Sequence, residues 1–271
     1  MRNLKPNVRL AMSTSKGVLI LYSENTSLNY KRLAELASRL AEHYLDLPCT
    51  VVKLQPVKKN VRTFRYDDGI ETIEWNNVGR YSAYELSPYD ETLLIDADYF
   101  IQNTNLGNYF ETTNSFLCHN TSWDISGNDV FRHDQYLTND GNGFEMRWAT
   151  VIFFKKDTHA KNIFDTWKIV YENYEYYSRL FGFKFSPFRN DFALSIAHQI
   201  CNGYKNTNTF IHKLPTISTT DTVLNYGNKN WLIKYKFKES YNVLRYKGDL
   251  HVMNKRCILD TDLYNKLWDS V

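Results

Sequence analysis

The stretch Glu91-Thr92-Leu93-Leu94-Ile95-Asp96-Ala97-Asp98-Tyr99-Phe100 restricts the fold more than any other part of the chain. Leu93, Leu94 and Ile95 follow one another with no polar residue between them. A half-exposed strand alternates apolar and polar residues, so this short unbroken run predicts a strand buried on both faces. Such strands occupy the interior of parallel or mixed sheets. Asp96 and Asp98 fall where the strand should stop. In open α/β sheets, that end of a strand is where ligands bind. Two carboxylates spaced i, i+2 can converge there on one hard divalent cation, with small Ala97 letting the chain turn between them. The plainer reading is a solvated acidic turn, because Asp is common in turns.

The residues before this stretch predict the sheet that surrounds it. Gly17 to Tyr22 is a short apolar run that suits a first buried strand. Leu28, Leu33, Leu36, Ala37, Leu40, Ala41, Tyr44 and Leu45 then recur at helical spacing, and the helix ends near Asp46 to Pro48. Thr50 to Leu54 is the next strand. Strand, helix and strand in this order open a parallel βαβ unit. The length of 271 residues allows one large domain, and 43% hydrophobic residues can fill its core. Tyr, Phe and Trp are abundant while Gly and Pro are few, which excludes a disordered chain. A net charge of +3 is too small to argue for nucleic acid by itself. Cys49, Cys118, Cys201 and Cys257 are scattered without a Cys-x-x-Cys pair, as expected of reduced thiols in a cytoplasmic protein and not of a zinc site. Met1 to Met12 lacks the apolar core of a signal peptide, and no stretch reaches the length of a membrane span. The expected location is therefore the cytoplasm.

Further along, Lys58 to Tyr66 is basic with interleaved aromatics, and Asp67-Asp68-Gly69 marks a turn. A hairpin is expected there, with arms from Arg62 to Tyr66 and from Glu71 to Trp75. Tyr81 to Leu86 predicts a short helix, Asn103 to Asn108 a loop, and Phe116 to His119 a strand. Residues 120–142 form a long polar loop holding Trp123, Arg132, His133 and Asp134. A strongly apolar strand follows Trp148-Ala149-Thr150. Asp157-Thr158 caps a helix whose stripe is Ile163, Phe164, Trp167, Val170, Tyr171 and Tyr174. Asp191 opens another helix, a place where the helix dipole favours a carboxylate for structural reasons alone. Thr209 to Leu214 reads as a strand, and Lys229 to Lys238 alternates Trp231, Ile233, Tyr235 and Phe237 with lysines. Residues 260–271 read as a short terminal helix.

The phrase from Leu86 to Asp98 resembles the Asp-x-Asp motif and its lead-in in glycosyltransferases with the GT-A fold. That resemblance implies an α/β, GT-A-like single domain over residues 1–271, with a central mixed, mostly parallel sheet flanked by helices. Residues 17–100 would be the nucleotide-binding half. Residues 101–256 would form the acceptor half and the segment that completes the metal site. Asp96, Asp98 and His251 would hold manganese or magnesium, and Lys255 would lie on the diphosphate. His251 and Lys255 stand closer together than the corresponding pair in several retaining families. Tyr22 and Ser23 would meet the base and ribose, Arg80 the donor, and Trp148 and Arg189 the acceptor or sugar. Asp191 would be the catalytic carboxylate. The implied donor is a nucleoside diphosphate sugar, expected to be a UDP-sugar, and the reaction a hexosyl or pentosyl transfer. The Asn, Lys and Tyr bias resembles phage-encoded enzymes. It implies hydroxymethylated bases of double-stranded DNA as acceptor, held by the runs at 58–66 and 229–238, in the host cytoplasm. The alternatives are transfer to a surface polysaccharide or protein, a haloacid-dehalogenase-like phosphatase with Asp96 as nucleophile, and a non-enzymatic nucleic-acid-binding or virion protein.

Overall fold

The computed structural model describes residues 15–24, 27–62, 70–75, 78–127, 145–182, 188–205, 209–210 and 212–271. The first half of the chain runs β1 (Lys16–Ser23), α1 (Tyr30–Leu45), β2 (Cys49–Leu54), β3 (Val57–Arg62), β4 (Ile70–Trp75), a 3-10 turn at Arg80–Ser82, α2 (Ala83–Leu86), β5 (Glu91–Asp96), β6 (Tyr99–Phe100), a 3-10 helix at Asn105–Glu111 and β7 (Phe116–His119). The second half runs β8 (Trp148–Lys155), α3 (Thr158–Glu172), α4 (Tyr174–Leu180), α5 (Asn190–Cys201), β9 (Thr216–Ile217), β10 (Thr222–Gly227), β11 (Asn230–Phe237), β12 (Ser240–Tyr246), β13 (Leu250–Val252), α6 (Arg256–Leu259) and α7 (Leu263–Trp268).

The central sheet has the order β2-β1-β5-β8-β7. β1 is parallel to both β2 and β5, whereas β8 is antiparallel to both β5 and β7. Four strands therefore point one way and β8 runs against them, which is the mixed, mostly parallel sheet expected. Alternation along each strand divides two cores. Val18, Ile20, Leu93, Ile95, Val151 and Phe153 face the layer that contains α1, while Leu19, Leu21, Leu94, Ile152 and Phe154 face the layer of α3 and α5. Leu93, Leu94 and Ile95 are each 0% exposed, so the unbroken apolar run is buried from both sides.

Capping fixes where the flanking helices begin. The Asn29 side chain accepts from the Arg32 N–H at 3.0 Å, and Asp157 accepts from the Ala160 N–H at 2.8 Å. Helix α1 ends on Asp46 in the left-handed region, φ 53°. The stripe of α3 is buried from Ile163 to Tyr171, and Trp167 is 0% exposed.

Several expectations are corrected. Residues 103–108 are not a plain loop. Leu106 and Tyr109, three apart, fall on one side of the 3-10 helix and are buried with Phe110. The first hairpin arm begins at Val57, and its register runs from Val57 opposite Trp75 to Arg62 opposite Ile70. Residues 63–69 lie outside the described residues. So does most of the long polar loop, including Arg132, His133 and Asp134. Thr209 to Leu214 forms no strand among its described residues, and the strand starts later, at Thr216. Around Pro215, which has no N–H to give a ladder, the backbone instead pairs with Trp123 through Trp123 N to Leu214 O at 2.9 Å and Thr216 N to Trp123 O at 2.7 Å.

Two smaller sheets complete the chain: β6-β13-β9, and the antiparallel meander β10-β11-β12. On β11, Trp231 and Ile233 are buried while Phe237 is 44% exposed, so the core covers only the first half of its apolar face. Gly248, at φ 131°, supplies a backbone conformation closed to other residues between β12 and β13. Asp249 follows and is 8% exposed. Its carboxylate accepts from the Gln102 N–H at 2.6 Å, from Asn103 Nδ2 at 2.9 Å and from the Tyr99 hydroxyl at 3.3 Å. Among the described residues, no helix is long and apolar enough to cross a membrane.

Burial pushes the Asp249 pKa up to about 6 from an ordinary 3.8, against the opposing effect of the Gln102, Tyr99 and Asn103 donors. The folded protein thus holds this proton to higher pH than the unfolded chain. The contribution to stability is present below about pH 4 and is lost as pH rises through about 6. Across that interval the wild type should lose about 3 kcal/mol more stability than Asp249→Asn, as measured by urea denaturation at stepped pH.

Candidate active site

One edge of the central sheet gathers the carboxyl ends of β1, β2, β5 and β7 and the amino end of β8, a direct result of β8 running the other way. Asp96 ends β5 there, and Ala97 and Asp98 turn the chain into β6. The β6–β13 ladder sets Tyr99 opposite His251 and Phe100 opposite Leu250. The Val252 N–H donates to the Asp98 carbonyl at 2.9 Å. This short ladder brings a histidine from far along the chain to the second aspartate. Lys255 follows just before α6.

Asp96, Asp98 and His251 each offer one ligand atom, and these atoms lie within 4.8 Å of one another. His251 Nε2 stands 3.5 Å from Asp98 Oδ1, and Lys255 Nζ stands 2.6 Å from Asp98 Oδ2. A hydrogen-bond relay orients the imidazole. The Leu214 carbonyl can only accept, so Ser122 donates to it at 3.2 Å. Ser122 then accepts from Thr216 at 2.8 Å, and Thr216 accepts from His251 Nδ1 at 3.3 Å. This polarity makes Nδ1 the donor of the relay and turns Nε2 toward the carboxylates.

On the other side, Arg80 is 1% exposed and pairs through Nη1 with Asp96 Oδ1. Its Nη2 donates to the Ala149 carbonyl at 2.6 Å, and the Ala149 N–H donates to Asp191 Oδ1 at 2.8 Å. One residue at the start of β8 thus links the Arg80 partner of the first aspartate to the carboxylate that opens α5. Burial raises the Asp96 pKa, Arg80 opposes, and Asp98 and Asp191 raise it further. Burial also works against ionisation of Asp98, but Lys255 and His251 more than offset it and hold Asp98 below the usual carboxylate range. Burial likewise works against the Lys255 ammonium, yet Asp98 keeps it above the ordinary lysine range. Asp96 pairs with Arg80 and Asp98 with Lys255, while Asp191 is held to the same edge by the Ala149 N–H. Carboxylate oxygens and an imidazole nitrogen converge there. Ligands on opposite sides of a small divalent ion stand about 4.2 Å apart, so a slight contraction of this cluster fits one.

The structure brings together Arg80, Asp96, Asp98, Asp191, His251 and Lys255. It places the other expected residues differently. Tyr22 and Ser23 end β1 at the same edge but are 8% and 6% exposed, and the Tyr22 ring belongs to the core beneath α1. Trp148 is 3% exposed and is likewise a core residue. Arg189 precedes α5 with its guanidinium 5.6 Å from the centre of the Phe192 ring. Sequence reasoning missed Tyr30, Ser122 and Thr216. Lys255 Nζ lies 5.9 Å from the centre of the Tyr30 ring, and burial raises the Tyr30 phenol while Lys255 opposes. Its position at the first turn after the opening strand was the available signal. Ser122 and Thr216 carried none, since they meet His251 only through tertiary pairing.

No family model matches the sequence, and no curated protein matches it. Among solved structures, an active-site variant of LgtC aligns over 94% of this chain and 95% of its own, at 13% identity and a TM-score of 0.48. The apo form of the glycosyltransferase GlyE from Streptococcus pneumoniae TIGR4 aligns at 13% identity with a TM-score of 0.35, covering 72% of this chain and 45% of that one. A glycosyltransferase involved in glycosylation of the major capsid of PBCV-1 gives 11% identity and 0.35 over 73% of this chain and 81% of that one. The chain therefore spans less than half the length of the pneumococcal protein. At such identities the chemistry has to be argued from this chain's own side chains.

Arg80 offers a direct check of the site's electrostatics. Arg80→Met leaves Asp96 without its cation and the Ala149 carbonyl without its donor. The expected cost is about 3 kcal/mol of unfolding free energy, measured by denaturant titration. A surface-like loss of a few tenths would show that the ion pair contributes little.

Proposed function

We propose that this chain is a metal-dependent glycosyltransferase that moves a sugar from a nucleoside diphosphate sugar, a uridine one, to a hydroxyl group. The observation that carries this reading is the convergence of Asp96, Asp98 and His251 at the sheet edge, with Lys255 against them. The order of elements around it, an opening βαβ unit, an acidic pair ending a buried strand and a late histidine, agrees with the GT-A pattern.

Asp96, Asp98 and His251 would hold the ion, and a nitrogen ligand beside two carboxylates suits manganese as well as magnesium. The ion would offset charge on a leaving diphosphate. The remaining roles belong to the chain's own residues. Arg80 favours the ionised form of Asp96 and aims it. Lys255, which pairs with Asp98, would turn its ammonium to a phosphate oxygen where a cation takes its place. The Ala149 N–H fixes the carboxylate of Asp191, which would face the sugar or the acceptor hydroxyl. Tyr30 would lie beside the nucleotide. Tyr22, Ser23, Trp148 and Arg189 frame the same edge and would shape it.

On the acceptor side the reading reaches a hydroxyl. Hydroxymethylated DNA rests on the two basic aromatic runs alone, and most of the first run's side chains lie outside the described residues. A phosphatase with Asp96 as nucleophile would need that carboxylate free to attack, and its pairing with Arg80 disfavours this.

Calorimetric titration with a panel of nucleoside diphosphates, with and without manganese, tests the proposal. Uridine diphosphate should bind only with the metal. Asp98→Ala should weaken that binding by at least ~100-fold, and Lys255→Ala by about tenfold. Binding of no nucleotide, or equal binding without metal, would overturn the reading.

A further inference from the structure

The basic aromatic run at 229–238 plays no part in the site above, yet it forms one face of the β10-β11-β12 sheet. The registers put Asn225, Leu232 and Arg245 side by side, then Thr222, Lys234 and Val243, then Lys236 and Tyr241. All of these point to the same face, opposite the one that buries Trp231 and Ile233. Lys234, Lys236 and Arg245 are exposed on it, and Tyr241 and Val243 are 58% and 57% exposed. None of the residues at these positions is acidic. The Asp221 carboxylate accepts from the Lys236 N–H at 3.1 Å and from the Ser218 N–H at 2.9 Å, and Asp262 is paired with Lys266 at 2.7 Å.

At the end of this face near the β10–β11 turn lies a pocket of about 240 Å³, lined by Asn225, Gly227, Asn228, Asn230, Leu232 and Arg245. Gly227 leaves the hollow open. Asn228 and Lys229 both take left-handed conformations, with φ 50° and 57°, which sets the two-residue turn of the hairpin. The Arg245 side chain makes no hydrogen bond or ion pair among the described residues. The Asn225 carbonyl is taken by Lys266 Nζ at 2.9 Å, leaving its amide N–H groups to donate.

The pocket is separate from the metal cluster. Lys229, in the turn, lies 5.5 Å from the ring centre of Tyr44, near the last turn of α1, whereas Lys255 lies beside Tyr30 at the first. Those two tyrosines are fourteen residues apart on one helix, about 21 Å at ~1.5 Å per residue.

We propose that this face is a second binding site, for an acidic oligosaccharide. Planar amides and a guanidinium fork match vicinal hydroxyls and a carboxylate, and Leu232 and Val243 offer apolar surface to the C–H faces of sugar rings. The volume is below the ~300–1,000 Å³ of whole-ligand pockets, so it takes one ring of a chain that continues along Lys234 and Lys236. Nucleic acid is a poorer match. Single strands bind on rows of open aromatic faces, and the one exposed ring here, Tyr241, has Lys234 Nζ 4.6 Å from its centre. The inference does not require the donor site to work as proposed.

The test is calorimetry on the full chain with an oligogalacturonate tetrasaccharide, neutral maltotetraose and a short DNA duplex, without metal or nucleotide. The acidic tetrasaccharide should bind best. The exposed double variant Lys234→Gln, Arg245→Gln should weaken it about tenfold and leave manganese-dependent uridine diphosphate binding unchanged. Three results would overturn the proposal: no saccharide binding, equal affinity for acidic and neutral saccharides, or tighter binding of the duplex through the same two side chains. Saccharide binding without any nucleotide binding would defeat the transferase reading and leave this one standing.

Discussion

The hydrogen bond from the Val252 N–H to the Asp98 carbonyl, 2.9 Å long, holds the two halves of the site together. The ladder it belongs to has only two paired residues on each strand, too few to be stable alone. It persists because Phe100, Leu250 and Val252 are all 0% exposed and because Asp249 ties β13 to the backbone just after β6. Without that junction His251 and Lys255 would have no reason to meet Asp98. A buried carboxylate with a raised pKa is an expensive anchor, and its three donors explain why it is tolerated.

Arg80 pairs with Asp96 and Lys255 with Asp98, in surroundings that penalise every bare charge. Arg80 is sunk in the core, held by Asp96 on one side and the Ala149 carbonyl on the other, and cannot shift to serve a ligand without leaving one of them. Lys255 is 15% exposed in its side chain and pairs with Asp98 alone among the acids, so it is the movable cation. A fixed guanidinium and a displaceable ammonium on neighbouring aspartates are what a site needs if it takes up a cation and a polyphosphate together.

The remainder of the fold divides labour by distance. The central sheet and its two helical layers supply a rigid edge with five strand ends in one line. The meander β10-β11-β12 is packed on the same core through Trp231, whose indole N–H donates to the Gly248 carbonyl at 2.9 Å. Its outer face is free of that core and carries cations. One chain thus presents an acidic cluster and a basic surface, kept apart by the length of α1.

The sequence by itself determined the opening βαβ unit, the doubly buried strand 91–96, the cap at Asp157, and the pair of carboxylates, Asp96 and Asp98, at the strand's end, because each follows from local periodicity, backbone preference or side-chain chemistry. It also pointed to Asp191, His251 and Lys255, though only by resemblance. Tertiary structure alone decided that His251 lies opposite Tyr99, that Thr216 and Ser122 orient its ring, that Arg80 is a buried partner of Asp96, and that Tyr22 and Trp148 fill the core. It also put residues 105–108 into a 3-10 helix and kept the described part of 209–214 out of a strand. Those outcomes depend on which strands pair and in what register. Register is set by burying a whole face at once, and no short window of residues contains that sum.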